Sequence, residues 1–270
     1  MELDLTSHPG SARDWIKDVW RHRAVLAMLS RADFQVRYKR ASFGVLWAVA
    51  VPLLQSVVLA VIFSKVIHVG SGKSFAVYVL SGVIAWSYFA GVVSVGATSI
   101  VDGSGLTDKL WFPRALLPLV PTLANLVALA VSLLVLLVAI PVLGVSTGPR
   151  LALLIPAIAL LIVFSASLSL CLAALHVYFR DVRYLVTAAL LVWFYVTPIV
   201  YPSSLLGHGL ARLVELNPMT GIIALFHRAT VGGAEPWKGP AFVSLAACAV
   251  LTLIAVQVNR THDRLFVDLL

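Results

Sequence analysis

Acidic residues are scarce in this sequence, and their distribution excludes more than their number does. Only 12 of the 270 residues are Asp or Glu, and charged residues of both signs make up 12% of the chain, against about 25% in soluble domains. Six stretches, 41–64, 74–101, 115–149, 151–179, 184–211 and 239–259, contain no Asp, Glu, Lys or Arg. A crossing takes roughly 20 apolar residues to pass about 30 Å of hydrocarbon, so these stretches predict an all-α integral membrane protein with six transmembrane helices. Ion- and proton-coupled carriers hold the coupling ion on ionisable groups at mid-membrane, and membrane-embedded enzymes need an acid, a base or a metal cluster. Neither kind of site is expected here: His176, near one end of the fourth stretch, is the nearest candidate. Cysteine is also nearly absent. Cys171 and Cys248 both fall inside apolar stretches, which leaves no disulfide framework and no metal-spaced cluster. No metal and no cofactor is expected on this chain, and the first forty residues, with Glu2 and Asp4 and no apolar run, do not read as a cleaved signal peptide.

The positive charge that remains is placed asymmetrically. Of the 20 Lys and Arg residues, 14 precede the first stretch, follow the last, or lie in 102–114 and 180–183, and the other 6 lie in the alternate loops. By the positive-inside rule both termini are cytoplasmic. The net charge of +8 is then an orientation signal and a contact with anionic lipids, not a nucleic-acid surface. The chain divides into a cytoplasmic segment 1–40, a membrane domain 41–258 and a cytoplasmic tail 259–270.

The polar segment 102–118, DGSGLTDKLWFPRALLP, joins the second and third stretches at the cytoplasmic surface. Gly103 and Gly105 permit a turn, and Leu106 to Phe112 suit one or two helical turns with Leu106, Leu110 and Trp111 on the apolar side, ended by Pro113. Such an element is either a handle for a soluble partner or simply a tight solvated connection. Residues 12–30 place Trp15, Val19, Leu26 and Leu29 on one helical side, flanked by Ile16 and Trp20, with Arg13, Asp14, Lys17, Asp18 and Arg21 mostly opposite. That pattern fits an amphipathic helix at the headgroup boundary. Arg37, Lys39 and Arg40 follow as a basic collar before the first span, suited to phosphate groups or to orientation alone. Gly72-Lys73-Ser74 imitates the end of a phosphate loop, but the required earlier glycine is Ile67, so an external turn is expected there.

Two aromatic clusters, Trp86, Tyr88 and Phe89 in the second stretch and Trp193, Phe194 and Tyr195 in the fifth, either belong to core and belt or line a conduit able to meet sugar faces. Thr197-Pro198-Ile199-Val200-Tyr201-Pro202 should break the fifth helix near the outer boundary. The uncharged segment 216–227 is too short to cross and suits a re-entrant helix capped by Asn217 before Pro218. Together these predict an external region, about 201–232, forming a lid over an exit path.

In order and spacing, Arg37-Tyr38-Lys39-Arg40 with Gly44, Leu46-Trp47 and Pro52, then Phe112-Pro113-Arg114 with Leu117-Pro118, Phe179-Arg180-Asp181, Thr197-Pro198 to Tyr201-Pro202, and Leu216-Asn217-Pro218 resemble the ABC-2 type permeases. Those permeases export lipid-linked polysaccharides such as O-antigen, capsule, teichoic acid and galactan. The resemblance covers nearly the whole chain. It implies a homodimer of six-span subunits in the bacterial inner membrane, with a separate ATPase subunit docked beneath that holds the ATP and magnesium. It further implies a coupling helix from about 105 to 114, carried by Asp108, Lys109, Leu110, Trp111, Phe112 and Arg114, and an N-terminal helix bordering the ATPase. Two short external helices would precede the sixth span, with Pro198, Tyr201, Pro202, Asn217 and Pro218 at the gate. The implied cargo is a polyprenyl-diphosphate-linked glycan entering from the inner leaflet, for which Arg37, Lys39 and Arg40 are the candidate diphosphate contacts. An exporter of small lipophilic compounds would share this fold; a membrane-embedded glycosyl or phosphoryl transferase is disfavoured by the missing buried acids.

Overall fold

The computed structural model describes residues 11–39, 43–70, 72–107, 112–233 and 236–262. Among them the regular structure is helical: α1 (Ala12–Arg21), α2 (Arg23–Tyr38), α3 (Leu46–Lys65), α4 (Gly72–Gly96), α5 (Ser99–Asp102), α6 (Ser104–Thr107), α7 (Leu116–Val142), α8 (Leu154–Tyr178), α9 (Val182–Val196), α10 (His208–Glu215), α11 (Pro218–Thr230) and α12 (Lys238–His262), with 3-10 turns at Gly148–Leu153 and Ser203–Leu205. Five helices are long and apolar enough to cross a membrane: α3, α4, α7, α8 with its 3-10 lead-in, and α12. α3 and α7 run one way and α4, α8 and α12 the other, α8 and α12 lying side by side in parallel with Ser167 beside Thr252 and Leu170 beside Asn259. One end of the bundle, the base, therefore holds α1, Asp102, Arg183 and the end of α12; the top holds residues 66–70, 143–150, 232–233 and 236–237. Gly72, Lys73 and Ser74 open the first turn of α4 at the top.

The fifth charge-free stretch, 184–211, is not one helix. α9 has 15 residues and stops at Val196, with Thr197 extended at ψ 132°, because the ring of Pro198 crowds helical backbone at the residue before it. The chain then turns through Ser203–Leu205 into α10, and α10 and α11 meet at 89° across a short break.

α4 is the centre of the bundle. Its apolar window is 72% buried, against 17% for α3, and it packs on α3, α7, α8, α9 and α11. Small residues permit the close approach, as expected where lipid offers no hydrophobic drive between helices. A Cβ on Gly96 would lie 2.6 Å from Ser169 Oγ of α8, and one on Gly82 would lie 2.8 Å from His227 Nε2 of α11.

The N-terminal segment forms two helices broken at His22. A reciprocal capping box between Ser11 and Asp14 starts α1, satisfying two N–H groups that a helix start leaves open. Trp15 packs against Ala115, Leu170 and Ala255, and Val19, Val25, Leu26 and Leu29 pack against Phe112, Leu116 and Leu117. Ile16 and Trp20 remain exposed. The amphipathic side of this segment thus grips the base of α7, and α2 continues along α7 as far as Tyr38.

Candidate functional site

An open-sided groove of about 970 Å³ runs beside α9. α3 contributes Gln55 and Leu59; α4 contributes Trp86, Ala90, Gly91 and Ser94; α9 contributes Arg183, Tyr184, Thr187 and a run up to Phe194 and Tyr195. The wall is polar at the base, where Arg183 and Tyr184 stand, and mainly apolar and aromatic above. α9 buries Val182, Val186 and Phe194, while Tyr184, Leu185, Leu191, Val192, Tyr195 and Val196 are exposed.

The six aromatics read as one conduit set divide three ways. Trp86, Phe194 and Tyr195 border the groove, with Trp86 edge-on to Phe194 at 5.6 Å. Phe89 and Trp193 are core: Phe89 is 0% exposed, stacks on Phe164 at 5.7 Å and meets Trp193 at 5.2 Å. Tyr88 faces the other way, donating its hydroxyl to the Thr122 carbonyl at 3.0 Å beside a smaller cavity of about 200 Å³. Helical spacing explains the split, since residues 86, 90 and 94 share a side of α4 that residue 88 does not.

At the upper end of the groove the five residues assigned to an external gate form a hydrogen-bonded knot. Pro198 is buried behind the break in α9. The Tyr201 carbonyl accepts from Tyr78 Oη at 3.2 Å, and Tyr201 Oη donates to the Tyr195 carbonyl at 2.9 Å. Pro202 introduces the 3-10 turn. Asn217 caps α11 by accepting from the Met219 N–H at 3.0 Å; the same Oδ1 accepts from Trp193 Nε1 at 2.8 Å, and Nδ2 donates to Thr197 Oγ1 at 2.9 Å. The Pro218 carbonyl accepts from Ser244 Oγ of α12 at 2.5 Å. α11 is interior: ten of its thirteen residues are buried, and a Cβ at Gly221 would overlap the Pro240 carbonyl. His227 lies flat on Tyr78 with ring centres 3.5 Å apart. Tyr78, Gly221, His227 and Ser244 were not singled out from the sequence. Each is an isolated polar or small residue in an apolar run, with no spacing to mark it.

At the base, Asp108, Lys109, Leu110 and Trp111 of the coupling segment, and Arg40 of the collar, lie outside the described residues. Phe112 is 6% exposed and packed among α2 and α7 side chains, so it plugs the bundle and is not displayed to a partner. Arg114 is partly buried, and its Nη1 is enclosed without a hydrogen-bond partner. Arg183 Nη2 donates to Asp102 Oδ1 at 2.6 Å, joining the groove's foot to α5. Lys39 borders a cavity of about 490 Å³ with Ala32, Gln35 and Val36. Arg37 is not a free cation: it pairs with Asp33 at 2.9 Å and donates to Asn125 Oδ1 at 3.2 Å. Among the described residues no group of three or more His, Cys, Asp or Glu is placed to hold a metal.

The sequence pattern of the ABC-2 type transporter family matches residues 24–229. This chain belongs to the ABC-2 type transporter family. The match runs from α2 through the groove helices to the end of α11. Among curated proteins, the chain is 30% identical over 252 residues to the O-antigen export system permease protein RfbA of Myxococcus xanthus, covering 90% of this chain and 93% of that relative. It is 24% identical over 247 residues to the protein of the same name from Klebsiella pneumoniae, covering 91% and 95%. Both similarities run over nearly the whole length of each protein.

Proposed function

We propose that this chain is the membrane-spanning permease subunit of an ABC exporter that carries a polysaccharide out of the bacterial cytoplasm. The observation that carries this reading is end-to-end similarity to O-antigen export permeases in a chain whose α4 and α9 border a long groove with aromatic side chains. Flat apolar rings suit the C–H faces of sugars and impose no demand on the identity of each residue. The cargo is a glycan on a polyprenyl diphosphate, and the base of the bundle, with both chain ends, faces the cytoplasm of a cell bounded by an inner membrane.

Energy comes from ATP and magnesium held by a separate ATPase subunit, which docks at α1, α5, α6 and the loop through Arg114. The burial of Phe112 supports a coupling segment that acts by moving the base of α7 and the N-terminal helices together. The protein works as a homodimer: the groove is open on one side, and next to it stand the exposed apolar faces of α3 (Val51, Leu54, Val58) and α9 (Leu191, Val192, Val196), which a second copy would cover. The knot around Asn217 gates the outer end.

The test is reconstitution. The permease is purified with its partner ABC ATPase, placed in vesicles with a lipid-linked glycan, and the glycan reaching the far side is counted with and without ATP. ATP-dependent delivery of the glycan supports the reading. ATP-dependent movement of small lipophilic dyes with no glycan transfer would replace it with a drug exporter.

A further inference from the structure

The five crossing helices carry four amide side chains, Gln55, Asn125, Gln257 and Asn259. Three of them are met inside the chain. Asn125 Nδ2 donates to the Pro121 carbonyl at 2.7 Å and its Oδ1 accepts from Arg37; Gln257 Oε1 accepts from Arg260 at 2.9 Å; Asn259 Nδ2 donates to the Ala255 carbonyl at 2.9 Å. Gln55 is exposed and has no hydrogen-bond partner among the described residues. It is the tenth of the twenty residues of α3, so about 14 Å of helix lies on either side of it. Hydrocarbon at that depth offers neither donor nor acceptor, and polar side chains kept there face a cavity or a pathway.

Gln55 does face a cavity. It lines the groove together with Leu59, four residues on, a spacing that puts both on one side of α3, next to the exposed apolar seam of Val51, Leu54 and Val58. Other polar side chains of the groove wall are engaged within the chain: Arg183 is bound to Asp102 at 2.6 Å, Thr187 Oγ1 donates to the Arg183 carbonyl at 3.0 Å, and Ser94 Oγ donates to the Gly91 carbonyl at 3.4 Å. The Gln55 amide is left to bind something else. Trp86 and Phe194 border the same groove, with ring centres 5.6 Å apart. A sugar ring has two kinds of surface, an apolar C–H face and a rim of hydroxyls. Aromatic rings suit the face. A primary amide, with two donor hydrogens on one atom and two acceptor lone pairs on the next but one, spans two neighbouring hydroxyls at once, donating to one and accepting from the other.

We propose that Gln55, with Trp86 and Phe194, forms a saccharide subsite half-way along the groove, in which the amide holds adjacent hydroxyls of a sugar in passage. The proposal deepens the exporter reading and rests on it for why a glycan enters the groove. A single uncharged contact binds weakly enough to release each sugar in turn, as a path requires. It also sets one condition on cargo: a chain with neighbouring free hydroxyls gains from Gln55, and a lipophilic compound without them does not.

Purified full-length protein in a polyoxyethylene detergent is titrated with maltohexaose and with permethylated maltohexaose, which keeps the rings and lacks the hydroxyl hydrogens. Saturation-transfer NMR reads binding, and size exclusion follows the oligomer on the same samples. Gln55→Leu, close in volume and suited to an exposed apolar helix, is expected to keep the size-exclusion profile and to weaken maltohexaose at least fivefold, with a clearly smaller loss for the permethylated sugar. Gln55→Asn keeps the amide on a shorter stem and should recover part of the loss. If the second copy is what meets Gln55, Gln55→Leu will change the oligomer profile and leave maltohexaose affinity unchanged, which overturns the proposal. Equal losses for the two sugars, or a parent protein that does not bind maltohexaose, overturn it as well. Should Gln55→Leu fail to fold, Gln55→Ala is read by the same criteria, and unchanged maltohexaose affinity in it is equally fatal. The vesicle assay separates this inference from the reading beneath it. ATP-driven glycan delivery with sugar affinity unchanged in Gln55→Leu strikes the subsite and keeps the exporter; lost affinity in a protein that moves dyes and no glycan keeps the subsite and strikes the exporter.

Discussion

Arg183 and Asp102, 81 residues apart in the chain, are joined at 2.6 Å. One stands on the first turn of α9, in the lining of the groove; the other ends α5, the short helix before the coupling segment. Both side chains are about half exposed, and exposed pairs contribute roughly 0–1 kcal/mol. The bond therefore adds little to the fold, and under the coupling proposed above its use is to tie α5 to the foot of the groove.

Asp102→Asn is therefore expected to leave the unfolding temperature within about 3 °C of the parent, since a loss below about 1 kcal/mol shifts a chain of this size by no more, while lowering ATP-driven export severalfold. The charge swap Asp102→Arg with Arg183→Asp should restore much of the export. A swap as poor as either single change, measured in vesicles, would show that the two residues act separately.

Asn217→Ala removes an N-cap and leaves the Trp193 indole N–H without its acceptor. A lost cap costs about 1 kcal/mol, and a partly buried donor left unmet about 1–3 kcal/mol, so thermal unfolding in detergent should fall by several degrees. Asn217→Asp keeps the acceptor for both Met219 and Trp193 and loses only the donation to Thr197; it should sit between the two. Equal melting of all three proteins would remove Asn217 from the knot.

Gly221→Ala should prevent accumulation of folded protein, because the new methyl overlaps the Pro240 carbonyl and two backbones must separate. Gly105→Ala, where a Cβ meets nothing within 4 Å, is the matched control and should express normally. Fluorescence-detected size exclusion of tagged variants reads both.

With Cys171 and Cys248 replaced by Ala, a single Val192→Cys on the exposed face of α9 should give a cross-linked dimer in membranes treated with a short bifunctional maleimide. Ile155→Cys, more exposed still but at the top of α8, should give far less. Similar yields at both positions would argue against a pairing through α3 and α9.

Much of this architecture was legible because hydrocarbon excludes charge. The five long helices fall inside stretches 41–64, 74–101, 115–149, 151–179 and 239–259 to within a few residues, and Thr197-Pro198 marked the break that divides the remaining one. Asn217 before Pro218 read correctly as a cap, since both residues act locally. What failed to show was long-range. The ascent of α2 along α7 is hidden because Arg31, Asp33 and Arg37 look like a wetted surface; Arg31 stays exposed, while Asp33 and Arg37 pair at i,i+4 and Arg37 also donates to Asn125 of α7. The aromatic clusters looked uniform in one dimension, whereas helix phase sends Tyr88, Phe89 and Trp86 to three destinations. Phe112 carried no sign that it would turn inward, because the residues that receive it, Val19 to Leu29, lie more than eighty positions earlier.

α3 hangs from the bundle by one edge: its apolar window is 17% buried, and it leans on α4 with a lighter touch on α7. In the homodimer proposed above, the outer face of this helix is braced by the second copy and not by its own subunit, so the width of the bore beside it would be set jointly by the two subunits and would change when they shift against each other.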